Sequence, residues 1–157
     1  LYDLVLARPG VRLEPVAELL PHALLPAGHR LAASASLRLA DLAREPFVLI
    51  DLPHSREYFL SLFRQAGVAP AVAYEAGSLE MVRSLVANGL GVSLLTTRPA
   101  HAYSQDGGRL AVRRLRGRLA PQTIVLAQPA AAEFQSPLAA ALAQAARAVI
   151  QPAASKG

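Results

Sequence analysis

Cysteine is absent from the 157 residues, and that absence closes several routes at once. The chain can form no disulfide, no zinc–thiolate centre and no cysteine nucleophile. With no leader pattern of basic, apolar and small residues at its start, such a chain is expected in the cytoplasm. Lysine is nearly absent as well: Lys156 is the only one, so the net charge of +5 is carried by arginines spread along the chain. No apolar run reaches the ~18 residues that a membrane span requires, and no membrane partner is expected. The GxSxG elbow, HExxH and the phosphate-binding GxxxxGK[ST] loop are all missing. His22, His29, His54 and His101 are scattered without metal-ligand spacing. Neither a metal nor another cofactor is expected, and no catalytic residue is assigned.

What is present is a core. Hydrophobic residues make up 53% of the chain and charged residues 17%, the composition of one folded domain or two small interleaved ones. Leu1 is not an initiating Met and "LYDLVLA" reads as the interior of a strand, so the natural protein is expected to continue upstream.

Along the chain, the run at 2–7 reads as a strand ended by Pro9 and Gly10. Residues 14–29 read as extended, because Pro15, Pro21 and Pro26 would interrupt a helix. "LADLAREP" (39–46) predicts a short helix closed before Pro46, and "FVLIDL" (47–52) a strand buried on both faces. "HSREYFLSLFRQAG" (54–67) predicts a helix with Phe59, Leu62, Phe63 and Ala66 on its buried stripe, Ser55 as N-cap and Gly67 in the left-handed C-terminal position. A strand follows at 71–76. Ser78 then caps a helix with Leu79, Val82, Leu85 and Val86 inward, ended by Asn88 and Gly89. "GVSLLT" (91–96) is a strand; "GLG" (89–91) is the turn before it, not a dinucleotide fingerprint. Further strands are expected near 109–115 and at 123–128, then an alanine-rich helix over roughly 134–151 with Pro137 in its first turn.

Strand–helix–strand–helix–strand order over 47–96 implies parallel strands with right-handed crossovers. Ligands of such sheets sit at the carboxyl ends of the strands. Ser55 in "DLPHS" and Ser78 in "EAGS" each open a helix just after a strand. Each offers a hydroxyl, unpaired N–H groups and a positive dipole end, which suits a small anion as well as ordinary capping. Asp51, His54 and Ser55 spell a catalytic triad, but three near neighbours around Pro53 cannot easily line up in relay. Glu75 and Glu80 are candidates for a carboxylate pair, with capping or solvation as the default. "RLAVRRLRGR" (109–118) reads as a strand near an edge with solvated arginines, ahead of a phosphate-binding patch.

"LADLAREPFVLI", "F…QAGVAP" and "SLEMVRSLVANGLGVSLL", in that order and spacing, resemble the effector-binding domain of LysR-type transcriptional regulators, and "YDLVLARPG…LEPVAELLPHALLPAGHRLA" resembles the segment preceding them. The resemblance covers about residues 2–150. It implies an α/β periplasmic-binding-protein-like (type 2) fold of two subdomains. About 20–95 would form the second, with 1–19 and 96–151 forming parts of a first that is incomplete in this chain. It implies a cleft lined by Arg8 and Pro9 on one wall, by Asp51, Leu52, Pro53, His54 and Ser55 on the other, with Gly77 and Ser78 nearby and Thr96 and Thr97 at the base. Arg8 would pair with an effector carboxylate. The implied partners are a small-molecule effector, a second or further copies in a homodimer or homotetramer, and DNA only through an upstream winged helix-turn-helix outside this chain. A transporter's solute-binding protein and a small-carboxylate enzyme on the same fold remain the alternatives.

Overall fold

The computed structural model describes residues 9–98, 101–130 and 137–154. The strand expected at 2–7, with Arg8, lies outside the described residues. In chain order the strands are β1 (Val11–Leu19), β2 (His22–Pro26), β3 (Ser36–Leu37), β4 (Pro46–Ile50), β5 (Ala71–Ala76), β6 (Ser93–Leu95), β7 (Leu110–Leu115) and β8 (Gln122–Pro129). The helices are α1 (Leu39–Leu42), α2 (Ser55–Gln65), α3 (Leu79–Ala87) and α4 (Pro137–Ala154). They divide between two compact units, one comprising 21–120 and the other the remaining chain on either side of it.

In the 21–120 unit the continuous apolar run Phe47 to Ile50 is at most 2% exposed, as a strand covered on both faces demands. β4 pairs in parallel with β5. On its other side Val48 N donates to Val92 O (2.8 Å) and Val92 N to Pro46 O (2.9 Å), just before β6 begins. β6 and β7 both run antiparallel to β2, and β3 lies parallel to β7. The sheet order is therefore β5-β4-β6-β2-β7-β3, with β2 alone reversed. β7 belongs to this unit because it pairs with β2, so residues 96–120 fall here and not with the other unit as the sequence alone suggested. β7 is a strand near an edge, as expected, with only the two-residue β3 beyond it.

Helices α2 and α3 bury Phe59, Leu62 and Phe63, and Val82 and Val86, against this sheet. Phe63 meets Phe47 edge to face at 5.2 Å between ring centroids. Both expected stripes are narrower than read from the sequence. Ala66 is the exposed C-cap of α2, and Leu79, first residue of α3, stays 37% exposed. α1 is one turn and stops at Leu42, because Pro46 already opens β4. The strand expected over 91–96 shortens to β6 since Gly91 sits in the turn, where a Cβ would lie 2.4 Å from the Pro46 carbonyl oxygen. Only glycine lets the turn approach β4 so closely.

In the other unit β1 and β8 form an antiparallel ribbon running from Val11↔Pro129 to Leu19↔Gln122. Pro15, which has no N–H to donate, sits at a register shift between Pro15 and Ala17. α4 starts on Pro137, where the missing N–H costs nothing, buries Ala143, and ties to β1 through an Arg147–Glu14 ion pair.

Candidate functional site

The carboxyl ends of β4, β5 and β6 share one edge of the 21–120 unit, and most of the expected site residues come together there. Asp51 N donates to Ala76 O (2.8 Å), which carries the β4–β5 ladder one residue past the end of β4. The chain then turns sharply. His54 takes φ +69°, the one left-handed non-glycine among the described residues, and Ser55 and Arg56 N–H groups both close on Leu52 O (3.1 and 3.3 Å). Left-handed backbone at a residue with a Cβ costs roughly 1 kcal/mol or more, and such strain concentrates where a turn must present particular groups.

This turn corrects the expected cap. His54, not Ser55, is the N-cap of α2, and its side chain makes no capping bond. Ser55 is the first helical residue, 7% exposed, and its hydroxyl has no hydrogen-bond partner among the described residues. Ser78 is the N-cap of α3 as expected. Its Oγ accepts from Met81 N (3.1 Å), which leaves the hydroxyl proton to donate elsewhere. Gly77 is exposed between them. Thr96, buried, and Thr97, exposed, follow β6 on the same edge. Pro9 belongs to the other unit, exposed at the turn before β1, and Arg8 lies outside the described residues.

The charges at this edge are paired. Arg56, in the first turn of α2, reaches Glu75 at 2.7 Å and the half-exposed Asp51 at 3.5 Å. The hydrogen bond to Glu75, then the charges of Glu75 and Asp51, raise the guanidinium above its ordinary range. Glu80 is tied instead to Arg83 (2.6 Å), so Glu75 and Glu80 form no carboxylate pair. Among the described residues no hydrogen bond links Asp51, His54 and Ser55, so the triad spelled by the letters is not assembled. Nor does any cluster of three or more His, Asp or Glu side chains among them offer a metal site.

His22 has no metal-ligand spacing in the sequence. It starts β2 opposite Leu95, is 2% exposed, and among the described residues has no hydrogen-bond partner at either ring nitrogen. Burial first, and the positive charge of Arg98 second, lower its pKa to about 4, so the ring is neutral at pH 7. Nothing local in "LPHAL" announces this, since the burial comes from strands pairing on both sides of β2. His29 is half-buried: its Nδ1 accepts from Leu31 N (3.2 Å) and its Nε2 lies 3.5 Å from Glu45.

Comparison with known proteins fits this arrangement. A family model described as the LysR substrate binding domain matches residues 1–151. An uncharacterised HTH-type transcriptional regulator of Escherichia coli, YnfL, is 37% identical over 86 residues, 52% of this chain and 27% of that protein. A putative LysR-family regulator from Pseudomonas aeruginosa superposes with a TM-score of 0.89 at 36% identity, covering 96% of this chain and 52% of that structure. The effector-binding domain of QuiR in complex with shikimate, 18% identical, shares the fold with a TM-score of 0.74 over 90% of this chain and 66% of its own. The chain thus spans about a quarter of the Escherichia coli regulator and about half of the Pseudomonas aeruginosa one. The fold is the periplasmic-binding-protein-like type 2 α/β fold of these domains.

Proposed function

Because the chain belongs to the LysR substrate binding domain family, we propose that it is the effector-sensing part of a DNA-binding transcriptional regulator acting in the cytoplasm. Its ligand is a small anionic metabolite, held at the carboxyl edge of β4 and β5. One observation carries the reading. The strained His54 turn delivers Ser55, with an unused hydroxyl, to the start of α2, on the strand next to the one that delivers Ser78 to the start of α3. Two hydroxyl donors and two positive helix ends thus stand at the carboxyl ends of paired strands, which favours a carboxylate. The two flanking carboxylates do not defeat this, because Arg56 already engages both. Leu52, Pro53, Gly77, Thr96 and Thr97 complete the proposed contacts within the 21–120 unit.

Binding changes no covalent bond. The ligand stabilises those conformations of the protein that bind it best and so shifts their populations. A homodimer or homotetramer converts that shift into altered grip on DNA, through a DNA-binding segment outside this chain.

A thermal-shift screen of small carboxylates and aromatic acids tests the reading. A ligand at about 100 times its Kd adds about 2.7 kcal/mol and should raise Tm by about 5–10 °C. It should be recovered chemically unchanged, and Ser55→Ala should abolish most of the shift. Consumption of the ligand, or a shift indifferent to Ser55→Ala and Ser78→Ala, would refute the assignment.

A further inference from the structure

β7 carries a second feature that shares no residue with the serine edge. β2 accompanies β7 from Leu110 to Arg114, but β3 meets it only at Arg114 and Leu115. On the β3 side, Val112 and Arg113 therefore have no strand beside them. A 3-10 turn (Arg30–Ala33) and the two residues after it lie across this gap. Their side chains at 32–35 are three alanines and a serine, so the space is not filled. What remains is a hollow of about 500 Å³ lined by residues 32–35, Arg98, Val112, Arg113 and Arg114.

Three arginines and no acidic residue line this hollow. Arg113 is fixed in place: its Nε (2.8 Å) and one terminal nitrogen (2.5 Å) both donate to Ala32 O, and the other terminal nitrogen donates to Val112 O (2.7 Å). Both partners are neutral carbonyls, so its charge is oriented but not neutralised. Among the described residues neither Arg98 nor Arg113 has a carboxylate within ion-pair distance. Cations gathered around one hollow invite a multivalent anion. The planar fork of arginine suits bidentate contact with phosphate or carboxylate, and the volume matches a metabolite.

We propose that this hollow binds a compact polyanion of metabolite size, a phosphate ester or a polycarboxylate, as a second ligand site of the regulator. A nucleic-acid backbone fits less well. Duplex binding needs a row of free cations along a surface, whereas Arg113 is turned into the hollow and Arg116 is tied to Ser36 Oγ (2.7 Å).

Isothermal titration of the intact protein at ~0.15 M salt, with pyrophosphate and with citrate as separate probes, tests the proposal. Saturable binding of either supports it, and the better probe identifies phosphate or carboxylate as the recognised group. Arg98→Glu, at an exposed position that leaves the fold intact, should weaken binding about tenfold or more. Arg114→Glu serves as the second variant and should do the same. Arg118→Glu, exposed beyond the hollow, and Ser55→Ala should leave it unchanged. The proposal is overturned by no saturable binding of either probe, no effect of Arg98→Glu and Arg114→Glu, equal weakening by Arg118→Glu, or displacement of the probe by duplex DNA of unrelated sequence. Loss in Ser55→Ala would put the anion at the serine edge and also refute a second site.

Discussion

Replacing His22 with leucine should make the 21–120 unit less sensitive to acid without weakening it at neutral pH. His22 is 2% exposed, neither ring nitrogen is hydrogen-bonded among the described residues, and its pKa is lowered from 6.5 to about 4. The folded value lies below the unfolded one, so between those limits the unfolded chain holds the proton that the folded chain refuses. Stability therefore falls as pH drops through about 6.5 and levels off below about 4. A depression of that size is worth roughly 3 kcal/mol in full, a large share of the about 5–15 kcal/mol that stabilises a typical domain. Asp41 and Asp106 are also held below their usual range, chiefly by hydrogen bonds from Arg38 and from Ser104 respectively. Their sign is the same, but they lose stability near and below the ordinary carboxylate value of 3.8, so the windows separate. Leucine fills similar space and removes two buried, unpaired polar atoms. His22→Leu should match or exceed the parent by about 1 kcal/mol at about pH 7.5. Urea unfolding at several pH values between about 7.5 and 4.5 gives both quantities. If His22→Leu keeps the parent's loss of stability over that interval, the histidine is not its source.

Gly91→Ala should destabilise by about 3 kcal/mol, since its Cβ would press on the Pro46 carbonyl and part the two hydrogen bonds that join β4 to Val92. Gly89→Ala, at φ +79° with open space around it, should cost only about 1 kcal/mol. Urea melts that rank the pair in the opposite order would rule out close approach as the reason for Gly91. Ser93→Ala should cost about 1 kcal/mol by the same measurement, because the buried Ser93 Oγ donates to Val48 O at 2.7 Å; no loss would mean that the carbonyl is satisfied without it.

Sequence reasoning reached furthest where structure is local. The strand–helix alternation over 47–96, the Ser78 cap and the left-handed Gly67 and Gly89 depend on a few residues of context each. Errors begin where a choice is made at a distance. Serine is the better N-cap by propensity, yet His54 takes that place because Leu52 O accepts both Ser55 and Arg56 N–H groups and forces the turn one residue earlier. Glu75 and Glu80 are five residues apart in the chain, but Arg56 and Arg83 claim them separately. The burial of His22 and the inclusion of β7 in the 21–120 unit both follow from pairing with β2, a strand whose reversal no periodicity reveals.

The same distinction explains why the two proposed sites differ in legibility. The serine edge arises from βα turns, where each strand end hands its residues directly to the next helix start. The arginine hollow arises from a mismatch, a two-residue β3 against a six-residue β7, closed by a turn eighty residues away in the chain. Read as letters, "RLAVRRLRGR" is one basic strand. In the fold its arginines part company: Arg113 is anchored to Ala32, Arg113 and Arg114 border the hollow, and Arg116 bonds to Ser36. Arg98, sixteen residues from Arg114 in sequence, borders the same hollow although β2 lies between β6 and β7. A basic run thus becomes a directed site only through its long-range pairing, and that pairing is what the Arg98 and Arg118 variants compare.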